Sequence, residues 1–444
     1  MSTKGVRLAD RMRDVAGFGI DRVARSADAL PAAEAADSPA DALPAAEAAD
    51  SPADALPAAE AAGDTADGGS ATADGGAAGA GAGRWPVLRL ENLDTDLPLP
   101  PEALPATREA LDTPRANSWL PFTGDDDLRA AISDLLVART GHRYDPATGI
   151  VVTSGGTEGV LDSLLATVDP GDEVVLTDPT YAGLVNRVRL AGGVPRFVPY
   201  RVTEGREWRL DLDALAAVAT PRTRALLLMS PSMPAGAVLD EADWRAVAEL
   251  CQRHDLLLIY DAAMESVLYD GRTLLHPVRL PGMAERTLVV GSLSKEFRMI
   301  GWRVGWVAGP RTLIDGVGWA HVYNTTTPVG IARAAATAVL RGDHGHVADC
   351  AAELQRRRDT ILAGRPDLPF VRPAGGWSLL LDVAALGREA AEVSAALLRD
   401  GAVAATPMTG WGGEVAARYV RFVYSAEPVD ALRTLPERLA AAGL

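Results

Sequence analysis

The segment Gly291-Ser-Leu-Ser-Lys-Glu-Phe297, continued by Gly301-Trp-Arg-Val-Gly-Trp306, gathers the most suggestive chemistry in the chain. It follows directly on an apolar, β-branched run, Thr287–Val290, which places Lys295 at a strand end and not on a solvated helix face. A lone lysine at such a position is more often structural. Here two hydroxyls, Ser292 and Ser294, and a guanidinium eight residues on, Arg303, surround it. That set suits an amine held beside a bound phosphate, for which arginine offers a planar fork of donors.

Working upstream, Thr153-Ser-Gly-Gly-Thr-Glu-Gly159 joins a strand at Ile150 to a helix predicted over 157–168. Gly155, Gly156 and Thr157 would let backbone N–H groups approach an anion at the helix N-terminus. The spacing fits neither the Walker nor the dinucleotide pattern. Asp261 closes the apolar run Leu256–Tyr260 and is a second strand-end candidate, with a helix N-cap as its plainer reading. Further strands are predicted at Val174–Leu176 and Ala225–Met229, and helices at Asp127–Arg139 and Glu241–Arg253. Strand and helix alternating at ~25–35 residues predict an α/β fold with a largely parallel sheet covered on both faces. Its ligand would sit at the carboxyl ends of the strands. From about residue 345 a long helix, Val347–Ile361, precedes strands Ser378–Val383 and Tyr419–Tyr424, predicting a smaller α+β domain.

The remainder bounds what the protein can be. Its 444 residues suit two or three domains. The net charge of −16 argues against a general nucleic-acid binder, which needs a basic face. Most of that charge is local. Residues 26–83 hold eight Asp and three Glu and no Lys or Arg, −11 of the −16. Residues 27–62 are three near-identical copies of ADALPAAEAADSP, marked by Leu30/Pro31, Leu43/Pro44 and Leu56/Pro57. So few apolar side chains cannot offset the entropy of ordering, so residues 26–84 are read as a disordered acidic insertion. Residues 1–25 read as an amphipathic arm helix, with Val6, Leu8, Met12, Val15 and Phe18 as packing residues. Asp10 and Asp14 argue against a transit peptide. No stretch approaches ~20 apolar residues, so no membrane span is expected. Two cysteines, Cys251 and Cys350, form no framework or metal motif and point to a reducing, cytoplasmic setting. The six histidines form no metal set, and His344 and His346 read as surface residues.

In this order, these segments resemble the fold-type I pyridoxal-phosphate enzymes, specifically the class I/II aminotransferases. The resemblance spans nearly the whole chain outside the repeat. It runs from Asn117-Ser-Trp-Leu-Pro-Phe-Thr-Gly124 through Asp178-Pro-Thr-Tyr181, Ser230-Pro-Ser-Met-Pro-Ala-Gly236 and the lysine segment to Arg421-Phe-Val-Tyr-Ser425. It implies a large cofactor-binding domain over 119–324 with a mostly parallel seven-stranded sheet. A small domain would comprise 85–118 and 325–444. It implies that Lys295 forms a Schiff base with pyridoxal 5'-phosphate and then moves protons, that Asp261 pairs with the ring nitrogen, and that Tyr181 stacks on the ring. Gly155, Gly156, Thr157, Ser292, Ser294 and Arg303 would hold the phosphate. Arg421 would grip the substrate carboxylate. The implied reaction moves an amino group from an amino acid to a 2-oxo acid, in a homodimer without nucleic acid or metal.

Three positions depart from the family pattern. Met233 stands where an asparagine is usual and Met264 where a tyrosine is usual, and both would ordinarily donate to the cofactor's phenolic oxygen. A thioether cannot donate, so the ionised phenolate should be destabilised. An alternative follows: elimination, replacement or carbon–carbon bond formation instead of transamination. Trp119 replaces a tyrosine that usually reaches a neighbouring subunit's site. Glu91 and Asp94 occupy a region where the family often has glycine. They read as a solvated loop, with recognition of a second positive group on the substrate as the alternative.

Overall fold

A computed structural model describes residues 20–28 and 85–444, together with 12 and 15. The acidic repeat from residue 29 on, and Val6, Leu8 and Phe18 of the arm, lie outside the described residues. The strands in chain order are β1 (Leu88–Arg89), β2 (Ile150–Thr153), β3 (Glu173–Asp178), β4 (Val194–Val202), β5 (Trp208–Leu210), β6 (Thr223–Met229), β7 (Leu257–Asp261), β8 (Thr287–Ser292), β9 (Gly305–Ala308), β10 (Phe370–Val371), β11 (Ser378–Asp382), β12 (Val403–Ala404), β13 (Thr406–Pro407) and β14 (Tyr419–Val423). The large sheet has the order β2-β9-β8-β7-β6-β3-β4-β5. Its centre is parallel: β4 pairs with β3, β3 with β6, β6 with β7 and β7 with β8. β9 runs antiparallel to both β8 and β2.

Seven of these strands make up the expected sheet, and the structure adds an eighth. β5 folds back antiparallel on the edge strand β4. Trp208 explains why three residues suffice. Its ring makes edge contacts with Tyr200, centroids 6.2 Å apart, and with Tyr419, 5.2 Å apart. β2, β3 and β6 to β9 bury nearly every side chain, as expected of strands covered on both faces. One core lies on each side of the sheet.

Helix α1 (Ile20–Asp28) runs past residue 25, so the boundary between arm and insertion has to move. Val23 and Ala27, one turn apart, pack against Ala404, and Asp28 pairs with Arg89 at 2.6 Å. These contacts hold residues 26–28 in the helix. Met12, expected to pack, is exposed. Next come α2 (Ala103–Leu111), α3 (Asp126–Thr140), α4 (Gly156–Thr167), α5 (Ala182–Leu190), α6 (Leu212–Ala217), α7 (Glu241–Arg253) and α8 (Arg311–Asn324). α7 starts on a reciprocal capping box between Asp240 and Asp243. The small sheet, β10-β11-β14-β13, is antiparallel and has its own core, which Met229 at the end of β6 and Met233 and Met264 of the loops beyond β6 and β7 also join. Those three methionines therefore sit between the two sheets.

Candidate active site

The carboxyl ends of β6, β7 and β8 and the turn after β2 open onto one cavity of about 140 Å³. Its walls include Gly156, Thr157, Tyr181, Met233, Asp261, Met264, Ser292, Ser294, Lys295 and Arg303. Residues separated by more than a hundred positions in sequence meet because β2, β7 and β8 end at one edge of the sheet. Asp261 is the last residue of β7 and Ser292 the last of β8.

Lys295 is half-buried along its length, with its amine donating to the Leu93 carbonyl at 3.3 Å. Burial, and then repulsion from Arg421 and Arg303, lowers its pKa to about 8. Burial raises Asp261 to about 6, against the pull of the Ala263 amide and of Arg187 and Lys295. Its carboxylate accepts from Ala263 N at 3.1 Å, and no helix begins there, which disposes of the N-cap reading.

Arg303 sits in the left-handed region at φ 55°. A bulky residue kept in that conformation is over-determined by its surroundings. Its guanidinium donates to Ser294 Oγ at 3.2 Å and to Thr157 Oγ1 at 3.4 Å. Ser292 Oγ in turn accepts from Ser294 N at 3.1 Å. A Cβ added at Gly155, φ 82°, would lie 2.5 Å from an Arg303 nitrogen. The positive φ favours glycine there, and any side chain would also have to push the Arg303 guanidinium aside. The result is a cationic cradle of hydroxyls and a helix N-terminus, which fits the phosphate of the implied cofactor. A buried amine and a buried carboxylate on the same cavity fit its aldehyde and ring nitrogen.

Arg421, in the middle of β14, is fully buried, and its Nε and Nη1 have no hydrogen-bond partner. Nη2 donates to the Glu91 carbonyl at 2.9 Å and to Thr406 Oγ1 at 3.2 Å. Trp411 covers the guanidinium face at 4.3 Å. Burial lowers its pKa to about 9, against Tyr181 and Glu91. Two orphaned donors on a buried cation call for an anion, and a carboxylate matches their geometry.

Several expectations need revision. Glu91 is not solvated: it is 1% exposed and pairs with Arg89 at 2.7 Å, while Asp94 is exposed as expected. His344 and His346 are half-buried, the latter 2.8 Å from Arg298 Nη2. Trp119 does not line the cavity. It is 76% exposed, with its ring edge-on to Phe122. Sequence reasoning missed Leu93, Met229, Ile300, Trp377, Trp411 and Arg187. Arg187 of α5 donates to the Thr157 carbonyl at 2.7 Å and acts electrostatically on Asp261 and Tyr181. None of these six carries a motif of its own. Trp411, between Gly410 and Gly412, offered the nearest thing to a signal.

A family model described as aminotransferase class I and II matches residues 88–438. A probable N-succinyldiaminopimelate aminotransferase of Mycobacterium tuberculosis is 36% identical over 315 residues, 70% of this chain and 79% of that protein. An arginine–pyruvate transaminase of Pseudomonas aeruginosa is 34% identical over 356 residues, 77% of this chain and 87% of its own. Among solved structures, the N-succinyldiaminopimelate aminotransferase of M. tuberculosis superposes with TM-score 0.79 at 29% identity, covering 97% of this chain and 100% of that one. The aspartate aminotransferase of Thermus thermophilus with maleate gives 0.74 at 31% identity, covering 80% and 91%.

Proposed function

The chain belongs to the aminotransferase class I and II family, and on that premise we propose a role for each side chain around Lys295. It is an aminotransferase, moving the amino group of an amino acid to a 2-oxo acid. The relatives are transaminases by name, which supports this reaction over elimination, replacement or carbon–carbon bond formation. Pyridoxal 5'-phosphate would supply an aldehyde that takes up the amino group and a ring that withdraws electrons from the substrate Cα. Lys295, with an amine near neutrality, would hold the cofactor covalently and then carry a proton at Nζ. Asp261 would place its negative charge at the ring nitrogen. Gly155, Gly156, Thr157, Ser292, Ser294 and Arg303 would hold the phosphate, and Tyr181 would cover the ring.

Arg421 carries this reading. A buried guanidinium with two unpartnered donors, close enough to Lys295 to lower its pKa, would fix a substrate carboxylate and so aim the Cα–H bond. The cations lining the cavity, Lys295 and Arg303, already have roles, and Leu93, Met229, Met233, Met264 and Ile300 make up much of the rest. An amino donor with an apolar side chain suits such walls better than a dicarboxylate. A panel of amino acids, each with a 2-oxo acid acceptor, tests this by chromatography of the products. Amino-group transfer favouring apolar donors is expected, and no transfer from any donor would overturn the assignment.

The assembly we propose is a homodimer. Trp119, Phe122, Leu165, Trp319 and Tyr323 are exposed, and the Trp319 and Tyr323 rings stack at 6.2 Å. Trp119 lies against Phe122, and Leu165 lies beside the Trp319–Tyr323 pair; exposed apolar groups of this size suit a protein interface better than water. Light scattering should report twice the chain mass, and a monomer at micromolar concentration would refute it. The free thiols of Cys251 and Cys350 favour a reducing, cytoplasmic setting.

A further inference from the structure

Outside the cavity, a buried group of three side chains takes no part in the chemistry above. Glu158 and Asp162 stand one turn apart on α4, and His321 of α8 packs against both. His321 Nδ1 lies 3.3 Å from Glu158 Oε1 and 3.8 Å from Asp162 Oδ2. One donor atom from each of the three falls within 4.8 Å of the others.

The outer atom of each residue is anchored elsewhere. His321 Nε2 donates to the Phe122 carbonyl at 3.0 Å, so Nδ1 is the ring nitrogen that faces the two carboxylates, and a metal binding there would displace any proton it carries. Glu158 Oε2 accepts from the Ser154 amide, and Asp162 Oδ1 accepts from Asn324 Nδ2 at 3.2 Å. Glu158 Oε1 also accepts from the Thr325 hydroxyl. Asp162 Oδ2 has no hydrogen-bond partner, although the residue is 0% exposed. A buried carboxylate oxygen left in that state is costly unless something positive meets it.

We propose that Glu158, Asp162 and His321 bind one divalent first-row metal ion. Ligand bonds of ~2.1 Å in a tetrahedral site place donor atoms about 3.4 Å apart, against 3.3 and 3.8 Å for the two pairs that include His321 Nδ1. Oxygen and imidazole donors without thiolate suit Zn²⁺ or Mn²⁺. Anchored outer atoms are the support that metal ligands commonly have. The ion is structural, neutralising two buried carboxylates. Through Glu158 and the Ser154 amide it stiffens the turn that presents Gly155 to Arg303. Through His321 and the Phe122 carbonyl it ties down the segment bearing Trp119.

The test is calorimetric titration of chelator-stripped, tag-free holoenzyme with ZnCl₂ and, separately, MnCl₂. One equivalent per chain of at least one metal is expected. Asp162→Asn should weaken that binding by more than about 100-fold while the cofactor absorbance stays in place. His321→Gln is the second variant, should Asp162→Asn fail to fold. No stoichiometric binding by the unaltered protein, or unchanged affinity in a folded variant, overturns the proposal. Neither outcome bears on the aminotransferase reading, which does not involve these residues.

Discussion

The Nζ of Lys295 lies 4.3 Å from the ring centroid of Trp377. The first residue is carried by the end of the large sheet and the second leads into β11 of the small one. The amine is thus enclosed from both sides, and burial is the main cause of its lowered pKa.

A pH dependence follows for the cofactor-free enzyme. An amine attacks only when neutral, and the Lys295 pKa is lowered from 10.5 to about 8. At pH 7 that leaves roughly 300 times more neutral amine than an unperturbed lysine has. The rate of covalent attachment of added pyridoxal phosphate should rise about tenfold per pH unit below pH 8 and level off above it. Stopped-flow absorbance measures this, and a rate still climbing at pH 10 would contradict it.

Arg421→Lys keeps the charge but loses the fork of donors. We expect kcat/KM for the amino donor to fall about 10- to 100-fold, the equivalent of one charge-assisted hydrogen bond. Cofactor affinity, followed by fluorescence titration, should be unchanged. Loss of cofactor binding in the variant would mean that Arg421 serves the cofactor instead.

Met233 and Met264 both line the cavity and neither can donate a hydrogen bond. Donors that stabilise an ionised oxygen lower its pKa, so Met233→Asn should move the pH transition in the holoenzyme's near-visible spectrum downward by about one unit. A spectrophotometric titration reads it directly. An unmoved transition would show that another group already supplies the bond.

Arg139 of α3 joins two loops that carry the site. It donates to Glu265, four residues after Asp261, and to Glu296, next to Lys295, both at 2.7 Å. Burial raises the pKa of both carboxyls, against the pull of Arg139. Arg139→Met strands them without a countercharge and should cost about 3–5 kcal/mol of stability. Urea unfolding is the measurement, and a loss under about 1 kcal/mol would mean the pair is already neutralised.

Much of this was readable from the linear order of residues. Lys295, Asp261 and Arg303 follow or flank apolar runs, and a buried parallel strand announces itself by such a run whatever it packs against. The run Ala225–Met229 made β6 plain, whereas β4, Val194–Val202, buries only Val198 and Tyr200 and includes two prolines. It forms because β3 offers it a partner. Sequence also exposed the acidic repeat and both methionine replacements, since these are questions of composition and identity.

Tertiary structure decided what depends on contacts between distant segments. Glu91 looked like a loop residue and is buried because Arg89 and the Arg421–Glu91 carbonyl contact hold it there. Trp411 and Trp377 became walls of the site, and Glu158, Asp162 and His321 came together across 163 positions. Local pattern determines which segments become strands and helices, because that choice is made by neighbours in the chain. Burial of a charge, and the partner that it meets there, is determined by packing, to which the order of residues in one segment gives no access.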